Sequence, residues 1–249
     1  MNEARALYFA SDLHLGVPDY QTSLQREKRF IQWLETIAQD AEGIYIVGDL
    51  FDFWFEYKRV VPKGYARLLG KLAELSDRGV SITVLAGNHD LGYKDYFPSC
   101  LGVRVFHEPQ TMFFHGKKIF IAHGDGLGPG DYAYKIFKKV IRHSINKWLF
   151  EWLHPNLGIS IAYKFSNTSR KLNQEKGATF LEEKEFIYQF ARELFEQDNS
   201  YNYFIFGHRH IPIHRKLAAN ASFFLLGDWL KHNSYLKLTP TDATLEYFN

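Results

Sequence analysis

The chain has 249 residues, 46% of them hydrophobic, and a net charge of only +2. That length fits one large α/β domain or one core with an insertion, and the near-neutral charge excludes a chain-wide electrostatic preference for nucleic acid. Cys100 is the single cysteine, which excludes an intrachain disulfide and thiolate-rich zinc sites. No run of about 20 apolar residues offers a membrane span.

In chain order, the apolar run Ala6–Ala10 ends in Ser11-Asp12-Leu13-His14. Short apolar runs bounded by such breaks read as buried strands. The motif follows the first strand directly, leaving no room for a signal peptide, so a soluble cytoplasmic protein is expected. A helix is predicted from about Leu24 to Gln39, with Phe30, Trp33, Leu34 and Ile37 at helical spacing. The strand at 44–48 ends in Gly48-Asp49 and leads into the aromatic loop Phe51-Asp52-Phe53-Trp54-Phe55. That loop either walls a site or packs beneath a neighbouring segment. A helix over Gly64–Asp77 is ended by Gly79, and the strand at 81–86 ends in Gly87-Asn88-His89-Asp90.

Residues 103–122 read as several short strands with a turn at Gly116-Lys117, the last running into His123-Gly124-Asp125. From Asp131 to about Glu196 the pattern is helical. Ala133, Ile136, Phe137, Val140, Ile141, Ile145, Trp148 and Trp152 follow helical spacing, and Asp131 is placed to cap that helix. A further helix runs from about Leu181 to Glu196. Strands resume at 203–206, which ends in Gly207-His208-Arg209-His210, then near 213–217, 222–226, 234–238 and 243–247. The predicted class is α/β: one domain over 1–249, a β-sandwich core flanked by helices, with a helical insertion at 131–196.

Ligands in open α/β sheets collect at the carboxyl ends of strands. The five runs would deliver Asp12, His14, Asp49, Asn88, His123, His208 and His210 to one edge. That set is too large for one ordinary ion and suits two that share a carboxylate. Mixed His, Asp and Asn donors suit Mn²⁺, Fe²⁺ or Zn²⁺. Two such ions can lower the pKa of a shared water and neutralise charge on a phosphoryl oxygen. Taken singly, each Asp or Asn reads as a turn or cap residue, and each His as a surface or core residue. The joint pattern outweighs those readings. His107, His115, His143, His154, His214 and His232 keep the ordinary one.

Asp-x-His, Gly-Asp, Gly-Asn-His-Asp, His-Gly-Asp and Gly-His-x-His, in this order, resemble the calcineurin-like metallophosphoesterases. The resemblance implies Asp12, His14, Asp49 and His210 on a first metal, and Asp49, Asn88, His123 and His208 on a second. Asp49 would bridge the two. Asn88 and His89 would sit at the phosphate, where His89 could stabilise charge or protonate the leaving oxygen.

Longer stretches resemble the UDP-2,3-diacylglucosamine pyrophosphatases of lipid A synthesis: Asp12–Leu15, Gly48–Trp54, His123–Leu127, Gly207–Pro212 and Leu226–Trp229. This implies hydrolysis of a lipid-linked nucleotide with Mn²⁺ as the usual metal, and an insertion acting as a lid over acyl chains. One departure is His89, where the best-known members carry Arg. It points to a sister branch and keeps open a second reading, a dinuclear phosphodiesterase acting on a soluble nucleotide. Another is Gly128-Pro129-Gly130, a weak phosphate-loop signal that reads better as a tight turn. Retention of all seven ligands argues against a catalytically silent scaffold.

The insertion carries Lys135, Lys138, Lys139, Arg142 and Lys147 against Phe137, Val140, Ile141, Trp148 and Trp152. A basic amphipathic helix of this kind lies on an anionic membrane or covers acyl chains. The plainer expectation is a helix packed on the core with its charged face solvated. Asn167, Arg170 and Asn173 either hold the glucosamine phosphate or diphosphate, Arg being suited to bidentate phosphate contact, or form a solvated helix face. The expected partners are a lipid-linked nucleotide and, peripherally, the cytoplasmic face of the inner membrane; nucleic acid is not expected.

Overall fold

The computed structural model describes residues 5–129, 132–161 and 180–249. Asp131, Asn167, Arg170 and Asn173 lie outside the described residues. Alternation along the strands builds the core, because successive side chains point to opposite faces. In β1 (Ala6–Ala10), Ala6, Tyr8 and Ala10 enter one hydrophobic cluster while Leu7 and Phe9 enter another. The same division holds on the other sheet. In β6 (Lys117–Ala122), Ile119 and Ile121 face inward to β1, and Phe120 and Ala122 face outward to a third cluster. Two sheets therefore share a middle layer of apolar side chains, and helices cover both outer faces.

The first sheet is completed by β2 (Ala41–Val47), β3 (Ser81–Leu85) and β4 (Arg104–Phe106), all parallel to β1. On the other side of β1 lie antiparallel β10 (Ser234–Leu238) and β11 (Ala243–Tyr247), giving the order β11-β10-β1-β2-β3-β4. The second sheet adds β5 (Gln110–Phe114), β7 (Tyr201–Phe206), β8 (Pro212–Ala218) and β9 (Ala221–Leu226) in the order β5-β6-β7-β9-β8. Within it β6, β7 and β9 are parallel. Register brings the strand ends level: Ala10 pairs with Ile46, Val47 with Leu85, and Ala122 with Phe206. The loops that follow these ends meet at one rim.

Helices α1 (Tyr20–Ile37), α2 (Ala66–Asp77) and α3 (Tyr96–Leu101) back the first sheet. α1 begins four residues before the predicted Leu24, because Asp19 caps it by accepting from Thr22 N–H at 2.9 Å. The short α3 escaped prediction, since six residues are too few for a periodic signal. Further on, the sequence pattern overestimates continuity. The helix expected through Trp152 is two, α4 (Tyr132–Arg142) and α5 (Ser144–Glu151), separated at His143 by extended backbone (φ −62°, ψ 133°). Residues 155–161 are helical again. The helix expected from Leu181 opens as a single 3₁₀ turn, Glu182–Lys184, before α6 (Phe186–Gln197), which packs on the outer face of the second sheet.

Among the described residues, no helix is long and apolar enough to cross a membrane.

Candidate metal centre

The seven residues of the sequence pattern converge on one rim, from both sheets. Asp12 and His14 follow β1, Asp49 follows β2, Asn88 follows β3, His123 follows β6, and His208 and His210 follow β7. Left-handed backbone is uncommon for residues with a Cβ. Asp12 (φ 57°), His14 (φ 45°), Asp49 (φ 52°), His208 (φ 69°) and His210 (φ 53°) all adopt it. Such conformations cost about 1–3 kcal/mol each and persist where the surroundings over-determine them.

Here hydrogen bonds between loops do so. Asp12 N–H donates to the Gly48 carbonyl (3.1 Å), His14 N–H to the Asp49 carbonyl (2.9 Å), and Gly207 N–H to the His123 carbonyl (3.0 Å). His208 N–H donates to Asp12 Oδ2 (2.8 Å) and His89 N–H to Asp49 Oδ1 (2.9 Å). Buried Arg26 on α1 donates to the carbonyls of Leu13, His14 and Val17 and clamps the first loop.

The glycines that precede the ligands are explained by crowding. A Cβ on Gly48 would lie 2.2 Å from His123 Nδ1, and one on Gly87 would lie 2.1 Å from Asp49 Oδ1.

The donor atoms fall into two groups that meet at one carboxylate. Asp49 Oδ2 lies 3.6 Å from His14 Nε2 and 3.3 Å from His123 Nε2. On the first side, His210 Nε2 lies 3.3 Å from His14 Nε2 and 3.4 Å from Asp12 Oδ1. On the second, Asn88 Oδ1 lies 3.1 Å from His123 Nε2 and 3.0 Å from His208 Nδ1. Asp12, His14 and His210 form one close set of metal-ligating atoms, and Asp12, Asp49 and His123 another; His14, Asp49 and His89 form a third. His123 Nδ1 donates to the Val47 carbonyl at 2.9 Å, so its Nε2 is the nitrogen presented to the centre.

Two observations fit these residues to divalent cations. Buried Asp12 Oδ1 makes no close hydrogen bond and faces the imidazoles of His210 and His14 at 3.4 and 3.7 Å, an arrangement that calls for positive charge beside it. The titration of the cluster also calls for positive charge. Burial opposes a charged His14, yet the Asp12 and Asp52 carboxylates outweigh it and pull the ring up to about 10. Burial likewise opposes a charged His123, which the Asp49 charge holds well above the usual imidazole range. Burial would raise the Asp49 carboxyl, but the neighbouring His123 and His89 hold it well below the usual range. Burial and the neighbouring His123 push His208 down to about 4.

His89 sits on the rim with Nδ1 3.1 Å from the Asp52 carbonyl oxygen, which accepts, and 3.6 Å from Asp52 Oδ1. Burial lowers its pKa. Adjacent Asp90 has a different task. Its carboxylate accepts from the N–H groups of Gly87 (2.7 Å) and Leu50 (2.8 Å) and from the Tyr93 hydroxyl (2.9 Å), tying the Asp49 and Asn88 loops together. Asp52 and Asp228 lie in the stretches Gly48–Trp54 and Leu226–Trp229 and reach the candidate site, although the sequence assigned them no role there. His14 Nδ1 lies 3.6 Å from Asp52 Oδ1, and His210 Nδ1 lies 3.3 Å from Asp228 Oδ2. His232, given the ordinary reading by sequence, lies against the other oxygen of Asp228 at 3.1 Å.

Above the rim, the insertion reverses the expected orientation. Three of its basic side chains, Lys135, Lys138 and Arg142, are turned to the core, while Lys139 stays exposed. Lys138 pairs with the buried Asp125 carboxylate and donates to the Asp125 carbonyl at 3.0 Å. Lys135 donates to the Gly128 carbonyl, and Arg142 to Glu108 and the His107 carbonyl. The apolar side faces outward: Ile136 is 64% exposed, Trp148 56% and Trp152 75%. This corrects the expectation of a solvated charged face over a packed apolar one. The physical reason is the buried Asp125, which needs a cation more than the core needs further apolar cover.

Phe150 is one apolar contact of α5 that does turn inward, with ring centroids 4.6 Å from Phe55 and 6.2 Å from Tyr57. Most of the aromatic loop is buried, and it packs beneath the insertion. Between α4 and His123 lies a cavity of about 230 Å³ lined by Ala86, His107, Gly124, Asp125 and Lys138 among others.

Comparison with known proteins agrees with this geometry. Residues 6–212 match the model of the calcineurin-like phosphoesterase family. A UDP-2,3-diacylglucosamine hydrolase of Porphyromonas gingivalis is 36% identical, with 96% of each chain covered. The enzyme of the same name from Actinobacillus succinogenes is 28% identical over 94% of this chain and 96% of its own. Among solved structures, a phosphoesterase from E. coli aligns with 98% of this chain at 15% identity and a TM-score of 0.46. With its rim of strand-end carboxylates, imidazoles and one carboxamide, and with a family match over most of its length, the chain belongs to the calcineurin-like phosphoesterases, hydrolases of phosphoric ester and anhydride bonds.

Proposed function

We propose that the chain hydrolyses the pyrophosphate bond of UDP-2,3-diacylglucosamine, releasing UMP and 2,3-diacylglucosamine 1-phosphate. The observation that carries the dinuclear part of this reading is the position of Asp49 Oδ2, within 3.6 Å of donor nitrogens on both sides of the rim. Asp12, His14, Asp49 and His210 would hold one divalent ion, and Asp49, Asn88, His123 and His208 the other, with Mn²⁺ the proposed metal and Fe or Zn compatible with the same donors. When bound, the ions supply Lewis acidity toward a phosphoryl oxygen and an activated water.

The chain's own residues do the rest. Asn88 and His89 bind at the phosphoryl group. Asp52 orients the His89 imidazole by accepting from Nδ1, and His89 moves a proton or steadies charge at the leaving oxygen. The cavity between α4 and His123 offers room for one end of the substrate.

The lipid half of the reading is supported by the P. gingivalis relative's substrate and by the outward face of α4 and α5. We read residues 131–196 as a lid. Its exposed Ile136, Val140, Trp148 and Trp152 would meet acyl chains or the surface of the inner membrane, on its cytoplasmic side. Asn167, Arg170 and Asn173 remain the proposed contacts to the glucosamine phosphate.

Purified protein given Mn²⁺ and UDP-2,3-diacylglucosamine in mixed micelles should release UMP, followed by ³¹P NMR. His89 favours one rival, a diesterase for a soluble nucleotide. Efficient cleavage of a soluble nucleotide diester with none of the lipid would replace the first reading by that one.

A further inference from the structure

A sixth strand end enters the rim. On β9, Phe223–Leu226 runs into Gly227-Asp228, repeating the pattern of Val47-Gly48-Asp49. The turn after it is fixed on several sides. Trp229 N–H donates to the Asp12 carbonyl at 3.2 Å, and the Trp229 ring packs 4.8 Å from Phe30 and 5.3 Å from Trp33. Gly227 is left-handed (φ 81°), and a Cβ there would lie 2.2 Å from Ser234 Oγ.

Within this turn the Asp228 carboxylate is divided between two tasks. Oδ1 accepts from the N–H groups of Lys231 (2.9 Å) and His232 (3.1 Å) and lies 3.1 Å from His232 Nδ1. Oδ2 lies 3.3 Å from His210 Nδ1. The other ring nitrogen of His210, Nε2, faces Asp12 Oδ1 and His14 Nε2.

We infer that Asp228 is a positioning residue: Oδ2 keeps the His210 ring proton on Nδ1, so that Nε2 presents a bare lone pair to a divalent cation held with Asp12 and His14. The inference rests on the dinuclear reading above. Carboxylates that accept the second N–H of a ligating imidazole fix its tautomer and orientation, and their loss typically lowers metal affinity about 10–100-fold. His123 has the same arrangement with a carbonyl, through Val47.

Asp228→Asn separates the two tasks. Asn keeps an oxygen that can accept from Lys231 and His232, but its NH₂ faces Nδ1. A donor there moves the ring proton to Nε2, the nitrogen that must stay bare. Asp228→Ala loses both tasks. The full chain would be titrated with Mn²⁺ while free ion is read by electron paramagnetic resonance. The metal-free chain, labelled with ¹⁵N at its imidazoles, would be examined at about pH 8, above the ordinary imidazole range.

Asp228→Asn should weaken uptake of one Mn²⁺ about 10–100-fold and shift the His210 signal from the Nδ1–H to the Nε2–H form. Unchanged Mn²⁺ affinity and an unchanged ring signal in Asp228→Asn, with only Asp228→Ala melting earlier, would make Asp228 a turn cap and overturn the inference. If wild-type protein takes up no Mn²⁺, the dinuclear reading fails, and the ring signal still decides which nitrogen Asp228 protects.

Discussion

The rim and the helical insertion solve the same electrostatic problem in opposite senses. At the rim, carboxylates and imidazoles are buried with their charges pointed at one another, and the apolar side chains of the same strands fill the cores behind them. On α4, Lys135, Lys138 and Arg142 are turned inward as fasteners, while Ile136 and Val140 of α4 and Trp148 of α5 are left outside. A buried charge requires an opposite charge or a good donor. Asp49 and Asp12 satisfy this with imidazoles, whereas Asp125 has Lys138 paired against it. The division of a helix into a charged and an apolar face therefore does not say which face turns inward. The buried partners beneath it decide.

The contrast is most sharply tested at the rim. Asp49→Ala should abolish turnover and remove both ions, a loss beyond the 10–100-fold that outer partners typically give; metal analysis alongside kcat/KM checks it. His89→Ala should lower kcat by about 10²–10⁴-fold, the range for a lost proton-transfer group, with metal content near wild type. If metal is lost as completely as in Asp49→Ala, His89 is a ligand rather than a proton-transfer group.

Protons and metal should compete at this rim. In the metal-free chain His14 is raised from 6.5 to about 10. Its contribution to folding stability is therefore complete below about pH 6.5 and lost as pH rises toward about 10. Mn²⁺ must displace such protons, so its affinity should rise with pH over this window and binding should release protons. Melting curves with and without Mn²⁺, and calorimetry in two buffers of different ionisation enthalpy, test both signs.

At the insertion the expected effects are smaller. Lys138→Ala removes one of the charges that face the buried Asp125 carboxylate, a cost of about 1–3 kcal/mol, read as a lower melting temperature together with a raised KM for lipid. Trp148→Ala and Trp152→Ala should change stability by no more than about 0.5 kcal/mol, since both side chains are exposed. They should weaken turnover of the lipid substrate several-fold and spare a small aryl phosphodiester. Equal losses on both substrates would mean that these rings only support the fold.

What was legible in the sequence follows from which signals are local. The strand ends were, because an apolar run followed by Gly-Asp or Gly-His records both the buried strand and the tight turn beside a neighbouring ligand; Gly48 and Gly87 are glycines because His123 and Asp49 occupy the space a Cβ would need. Asp228 follows the same rule in Leu226-Gly227-Asp228-Trp229, and its partner His210 appears only when β9 is placed beside β7. The orientation of α4 could not be read locally, because it depends on Asp125, Gly128 and His107, which the fold brings under it. Likewise the partner of His89 is Asp52, distant in sequence, rather than the adjacent Asp90.

The left-handed backbone at Asp12, His14, Asp49, His208 and His210 has an evolutionary consequence. Each of these positions holds its backbone at a cost of about 1–3 kcal/mol, and glycine there would relieve it. The relief has a counterweight, because the same side chains pair with one another: the His14 charge, held up by Asp12 and Asp52, stabilises the folded chain at neutral pH, and the Asp12 carboxylate accepts from His208 N–H. A lineage freed from selection for hydrolysis would therefore gain stability only at positions where the strain relieved exceeds the pairing lost.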